Sequence, residues 1–221
     1  MKFLVDKRNK IIFGWSQKCG CSHIKWIFAY LNNIDIDNNL HEVFNYKLPK
    51  DFNSYKIILI IRNPYERLIS GFLQKYNKLG EQYDRWQKYK YTTNLTFRNF
   101  VNEMYNYGFG YAIEPNHFSP QLSKDWDDKI KYTKMYDINN IDYEYIEKLY
   151  QKKIPDNIKN KKGNHVRYGK ESDKELYDTN IENINVIGKY KIYNFYTKDI
   201  ESKVYEIYKK DFEYFANNRI D

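Results

Sequence analysis

Lys56-Ile57-Ile58-Leu59-Ile60-Ile61-Arg62-Asn63-Pro64-Tyr65-Glu66-Arg67-Leu68-Ile69-Ser70 reads as a buried strand that runs straight into a helix. The first six residues are nearly all apolar and mostly β-branched, the pattern of a central parallel strand covered on both faces. Arg62 ends the run. Asn63 then reads as a helix N-cap, Pro64 as the first helical residue, and Glu66 as the acid three residues past the cap. Leu68, Ile69, Phe72, Leu73 and Tyr76 give this helix an inward face, and Gly80 predicts its end.

A second junction of the same kind lies upstream. Ile11-Ile12-Phe13-Gly14-Trp15 is a short apolar strand that enters the loop Ser16–Gly20. A helix is expected from Ser22, its N-cap, with Ile24, Ile27, Phe28 and Leu31 on one face. Further on, Thr96 opens a helix over Phe97–Met104, Lys129–Tyr136 alternates like a third strand, and Asp142–Lys152 reads as a helix. Ile154–Lys170 is polar and loop-like. Thr197–Phe215 patterns as one amphipathic helix. Strands alternating with helices imply a parallel sheet with right-handed crossovers, and ligands in such sheets bind at the carboxyl ends of the strands. Both junctions lie there.

Bulk properties narrow the field. A chain of 221 residues fits one domain, 1–221, with a core of its own. The net charge of +8 favours anionic partners, although lysine is also the default surface residue of a Lys-, Asn-, Ile- and Tyr-rich proteome of the kind found in giant viruses and low-GC bacteria. Cys19 and Cys21 are the only cysteines, and a loop so short gives poor disulfide geometry. No signal peptide precedes the charged sequence after Met1–Asp6, and no apolar run reaches the roughly 18 residues of a membrane span. These features predict a soluble, cytoplasmic protein, in the host cytoplasm if the chain is viral, with no membrane or nucleic-acid partner.

Each junction is suited to hold an anion. In Gln17-Lys18-Cys19-Gly20-Cys21-Ser22, a strand–loop–helix turn points backbone N–H groups at one spot. The helix adds its positive end, Lys18 a mobile charge and Ser22 a hydroxyl. The loop is not the nucleotide-triphosphatase signature, because no Gly-Lys-Ser/Thr follows. Cys19, Cys21 and His23 spell C-x-C-x-H, but four zinc ligands at ordinary spacing are not available, and no metal is expected. In the second junction, Arg62 can grip a phosphate bidentately, and Ser70, two helical turns on, can complete the contact. Arg67 reads as a surface charge or a salt-bridge partner.

At these residues the chain resembles the PAPS-dependent sulfotransferases, in particular the carbohydrate (Golgi-type, family 2) branch; PAPS is 3′-phosphoadenosine 5′-phosphosulfate. That family carries P-K-x-G-C-[ST] for the 5′-phosphosulfate, matched by Gln17–Ser22 except that Gln17 replaces proline. It carries R-[DN]-P-[FY]-x-R-[LIF]-x-S for the 3′-phosphate, matched throughout by Arg62–Ser70. It also carries H-[WF]-x-P-Q, matched by His117-Phe118-Ser119-Pro120-Gln121. A strand ending in Tyr136-Asp137 and a closing Tyr208, Asp211, Phe212, Phe215 pattern follow in order. The chain departs from the family where cysteines often follow the third motif, since Ser123, Lys124 and Asp125 stand there, and in having no N-terminal membrane anchor.

The resemblance implies a P-loop-NTPase-like three-layer α/β/α fold with a central parallel sheet. It implies in-line transfer of a sulfuryl group from PAPS to an acceptor hydroxyl, a glycan by preference, with PAP as product and no metal. Lys18 would stabilise charge on the bridging and sulfuryl oxygens, and the amides of Cys19, Gly20, Cys21 and Ser22, with His23 beside them, would hold the 5′-phosphate. Arg62 and Ser70 would hold the 3′-phosphate, and Arg167 would lie near the nucleotide. Two histidines are candidates for the base: His117, since histidine titrates near neutral pH, and His23 at a helix start. A nucleotide kinase or NTPase of related fold predicts tight ATP–Mg binding with no preference for a 3′-phosphate. A polyanion-binding protein predicts affinity that falls steeply with salt.

Overall fold

The computed structural model describes residues 1–35, 47–77, 80–90, 94–110, 112–122, 129–161 and 168–217. Arg167 and Ser123–Asp125 lie outside these residues. The fold is mixed α/β, and the chain forms two compact units: Met1–Arg62 with Gln121–His165, and Asn63–Pro120 with Val166–Asp221.

The first unit is built on a four-stranded sheet in the order β1 (Lys2–Asp6), β2 (Ile11–Trp15), β3 (Lys56–Ile61), β4 (Lys134–Asp137). β3 is parallel to β2, from Ile11↔Lys56 to Trp15↔Ile60, and β4 is parallel to β3, from Ile58↔Lys134 to Ile61↔Asp137. The sequence reading places β2 and β3 at these bounds. It misses β1, which pairs antiparallel with β2 through a tight turn in which the Asp6 carboxylate accepts from Asn9. It also makes the third strand longer than the Lys134–Asp137 segment that pairs.

Side-chain alternation sorts the sheet's two faces. Leu4, Phe13, Trp15, Ile58 and Ile60 pack with α1 (Cys21–Leu31) and with residues of the later helices Tyr143–Tyr150 and Asp156–Lys159. Phe3, Val5, Ile12 and Ile57 pack on the other side with Tyr55 and Ile130. Covered on both faces, Ile57 to Ile60 are each at most 1% exposed. Each such side chain contributes roughly 1.5–3 kcal/mol on burial.

The second unit is mostly helical: α2 (Pro64–Lys75), α3 (Glu81–Lys90), α4 (Phe97–Tyr107), α5 (Pro115–Phe118), then, counting the two helices of the first unit as α6 and α7, α8 (Lys198–Ile207) and α9 (Lys209–Asn217). A two-stranded parallel pair, β5 (Tyr168–Glu171) and β6 (Gly188–Lys189), lies between α7 and α8 in the chain. The aromatic richness of the sequence goes largely into its core. Phe72, Tyr76, Trp86, Phe97, Phe100, Phe118 and Phe195 are buried together, with Phe72 5.2 Å from both Phe97 and Phe100. Tyr76 hides its ring and satisfies its hydroxyl by donating to the Ala112 carbonyl at 2.6 Å.

Asn63 caps α2 as expected, its side chain accepting from the Tyr65 N–H at 2.9 Å. Gly80 does not end that helix. The helix ends earlier, at Lys75 with Tyr76 as its C-cap, and the Asn77 side chain donates to the Leu73 and Gln74 carbonyls. Thr96 caps α4 and Thr197 caps α8. The single closing helix is two helices, because Tyr208 leaves helical geometry between α8 and α9. α1 starts one residue before Ser22: its N-cap is Gly20, at φ 71°, and Ser22 is the second helical residue.

Candidate active site

The site residues fall into two groups, one in each unit. In the first unit, β2 delivers the loop Ser16–Gly20 at its carboxyl end, and β3 delivers Arg62 at the next carboxyl end. The loop turns sharply. Lys18 and Gly20 both take left-handed backbone conformations, at φ 69° and 71°. For Lys18 that geometry costs roughly 1–2 kcal/mol, the kind of strain retained at functional loops. Glycine is favoured at position 20: beyond its left-handed φ, an added Cβ would stand 2.3 Å from Ile138 Cδ1, so that side chain would have to shift. The turn lets α1 begin with the amides of Cys21, Ser22 and His23 in its first turn, where no helical carbonyl precedes them. The Gly20 cap supplies no side-chain acceptor there either.

Cys19 is a structural member of this loop. Its amide donates to the Ser16 carbonyl at 3.2 Å, its side chain is fully buried, and Sγ donates to Gln121 Oε1 at 2.8 Å. That removes its amide from the expected phosphate cradle. Gln121, the last residue of the His117–Gln121 motif, is the hub of this loop. It is 2% exposed. Its Oε1 accepts from the Arg62 N–H and its Nε2 donates to the Arg62 carbonyl, both at 2.8 Å. Its own carbonyl accepts from Ser16 Oγ at 3.3 Å. One buried amide thus ties the first loop to the end of β3. The result is direct proximity of the two motifs: Arg62 Nη1 donates to the Lys18 carbonyl at 3.4 Å.

His23 is committed elsewhere. Nδ1 lies 3.1 Å from the Lys161 carbonyl and Nε2 lies 2.8 Å from the Tyr143 hydroxyl. The carbonyl can only accept, so Nδ1 carries the hydrogen and Nε2 accepts from Tyr143. Burial lowers the His23 pKa from its ordinary value, opposed by the Lys161 carbonyl. The ring is a neutral strut between α1, α6 and the residues after α7, with Lys161 also over the Trp26 ring. Both ring nitrogens of His23, the second candidate base, are thus engaged within the first unit.

In the second unit, α2 carries Ser70, half-buried, one residue before Gly71. Gly71 lets Phe118 come close: an added Cβ would be 2.6 Å from the Phe118 ring. The surface reading of Arg67 is overturned. It is 3% exposed and donates from Nη2 to the His117 carbonyl at 3.1 Å. The Tyr208 hydroxyl donates to the next carbonyl, that of Phe118. Burial raises the Tyr208 pKa, Asp211 adds to this and Arg67 opposes it, so Tyr208 remains a donor. The closing sequence pattern therefore supports the His117 turn.

His117 itself is held by Glu114, three residues before it in the chain. Glu114 caps α5, its Oε2 accepting from the His117 N–H at 3.0 Å and lying 2.8 Å from His117 Nδ1. Burial pulls the Glu114 pKa up, but the hydrogen bonds and charge of His117 more than offset it and hold the carboxyl below its usual range.

Among the described residues, no group of three or more His, Cys, Asp or Glu is placed to hold a metal ion, and no helix is long and apolar enough to cross a membrane. No curated protein and no solved structure matches the chain. A family model, described as the sulfotransferase family, matches residues 1–216, a span that includes both strand–helix junctions, the His117–Gln121 motif and Tyr208. The chain belongs to the sulfotransferase family.

Proposed function

We propose that the protein transfers the sulfuryl group of PAPS to an acceptor hydroxyl, on a carbohydrate, by direct in-line displacement. The observation that carries the donor half is the pairing of Lys18 and Arg62 at the carboxyl ends of adjacent parallel strands, knotted by Gln121. Two cations at neighbouring strand ends suit a nucleotide with phosphates at two positions. The α1 amides and left-handed loop suit the end that reacts. Supporting the single-domain reading, the family match spans both units. The acceptor class rests on the sequence resemblance to the carbohydrate branch. Two free thiols, one buried and bonded to an amide, suit a reducing compartment such as the cytoplasm.

In this mechanism the acceptor oxygen attacks sulfur as the bond from sulfur to the bridging phosphate oxygen breaks, and PAP leaves. Lys18, with the amides of Gly20, Cys21 and Ser22, offsets charge on the bridging and sulfuryl oxygens. Arg62 and Ser70 hold the 3′-phosphate, with Arg167 contributing near the nucleotide. The acceptor proton passes to His117. No metal takes part.

Calorimetric titration of PAP, ADP and ATP–Mg tests the donor. The expected result is strong preference for PAP, weakened by both Arg62→Ala and Ser70→Ala. Equal affinity for PAP and ADP would refute the proposal, and tight ATP–Mg binding without 3′-phosphate preference would favour a kinase or NTPase.

A further inference from the structure

The least expected feature of the second unit is the investment in one short turn. α5 has four residues, yet three groups from other parts of that unit's chain converge on it. Arg67 holds the His117 carbonyl, Tyr208 holds the Phe118 carbonyl, and the Phe118 ring is fully buried against Gly71. A turn that served only as a connection would not need its two successive carbonyls fixed by buried donors.

Glu114 then fixes the remaining freedom, the rotation and tautomer of the imidazole. One oxygen, Oε2, receives both the His117 backbone N–H and ring Nδ1. An ionised carboxylate can only accept, so a neutral His117 must carry its hydrogen on Nδ1. Its lone pair is then on Nε2, the nitrogen on the far side of the ring from Glu114. The Glu114 side chain is 10% exposed and that of His117 18%, so the pair is shielded from water that would compete for the bond. Beyond His117, Lys75 helps to hold Glu114 ionised, and Arg67 holds the His117 backbone through its carbonyl.

We propose that Glu114 is a positioning residue for sulfuryl transfer: it holds His117 in the Nδ1–H tautomer, so that Nε2 receives the acceptor proton, and its charge stabilises the imidazolium that forms. The step balances simply. The acceptor O–H bond breaks as the O–S bond forms, the proton goes to Nε2, and the electron pair of the broken S–O bond leaves on PAP. Glu114 stays ionised throughout. This assignment rests on His117 being the base of the reaction proposed above.

Two measurements on the full chain separate the claims. The first is long-range 1H–15N NMR of the neutral imidazole in the wild-type protein, with His117→Gln to assign the signals. The expected pattern is an Nδ1–H tautomer, converted in Glu114→Gln to a mixture or to Nε2–H. An Nε2–H tautomer in the wild type, or a spectrum unchanged by Glu114→Gln, overturns the proposal. The second is PAPS turnover to PAP with methyl glycosides as acceptors. Glu114→Gln should lower kcat about 100-fold, within the range for a disabled general base, while the PAP dissociation constant stays within twofold of wild type. Glu114→Asp, which keeps the charge, should recover part of the loss. A kcat within threefold of wild type in Glu114→Gln overturns the proposal. If PAP does not bind, the sulfotransfer reading fails on that arm, and the tautomer measurement still decides what Glu114 does to His117.

Discussion

Replacing Gln121 with alanine should damage both the fold of the first unit and donor binding. The side chain's bonds include one from the Arg62 N–H, one to the Arg62 carbonyl and one from Cys19 Sγ, each at 2.8 Å. Leaving a buried backbone group without a partner costs about 1–3 kcal/mol. Arg62 is half-buried, so water can reach its backbone groups and each counts near the lower end; the thiol is a weak donor and adds little. The sum is about 2–3 kcal/mol. For a chain of this size a kcal/mol shifts Tm by roughly 2–4 °C, which predicts a fall of about 4–12 °C. Turnover should fall on the order of 100-fold, because Arg62 and the Lys18 loop lose their shared anchor. Thermal denaturation, PAP calorimetry and PAPS turnover measure the loss of stability, donor binding and activity. Gln121→Glu sharpens the test. Ionised, it lacks the donor for the Arg62 carbonyl; protonated, it regains it. Burial raises a carboxyl pKa, so this variant should be weakest near neutral pH and recover as pH falls. A Gln121→Ala protein with Tm within 2 °C of wild type and unchanged PAP affinity would refute the reasoning, since such values lie below the ~4 °C lower bound.

Gly20→Ala should be destabilised by at least about 1–2 kcal/mol, the cost of a left-handed non-glycine residue, with a further cost from the Ile138 clash; Ile138→Ala in the same chain should recover only the second part, as judged by urea denaturation. Lys18→Gly should separate stability from activity: turnover is lost while the fold gains up to about 1 kcal/mol, because glycine takes this backbone geometry without strain. His23 predicts a pH effect. Its folded pKa lies below the 6.5 of the unfolded chain, so the unfolded state binds the extra proton. Stability is therefore full above 6.5 and falls as pH drops from there toward the lower folded value. Stability curves measured across this range should be flatter for His23→Gln. Arg67→Met should cost about 1.5–3 kcal/mol, the worth of a hydrogen bond from a charged group, and should lower kcat more than it weakens PAP binding, since the lost bond is to the His117 carbonyl.

Features set by local sequence were legible. β3 and α2 follow from an apolar run, an Asn cap and a proline, each acting within a few residues. The strand–loop–helix form of the two junctions follows from the same local chemistry. Features set by distant partners were not legible. β1 is five residues before a charged turn, and only its pairing with β2 makes it a strand. Nothing in the helical periodicity of Thr197–Phe215 marks the break at Tyr208, where the hydroxyl reaches the Phe118 carbonyl. Arg67 directly follows Glu66, as a surface charge would, and its burial depends on distant partners such as the His117 carbonyl, fifty residues away. His23 looked free for chemistry because Tyr143 and Lys161 lie more than a hundred residues on.

The five residues His117–Gln121 show how nonlocal partners divide a short motif. The chain passes from one unit to the other after Pro120. On one side of that point, His117 and Phe118 are fixed by Glu114, Arg67 and Tyr208, all of the second unit. On the other, Gln121 is fixed to Arg62, Ser16 and Cys19, all of the first. Arg62 is itself the last residue before the chain's earlier passage into the second unit. One end of the motif therefore orders the proposed base and the other orders the proposed donor grips. Pro120 between them removes a backbone donor and restricts the residue before it to extended geometry. Substitutions at the two ends should consequently fail in different ways: at Glu114 or His117 through kcat with PAP binding intact, and at Gln121 through stability and PAP binding together.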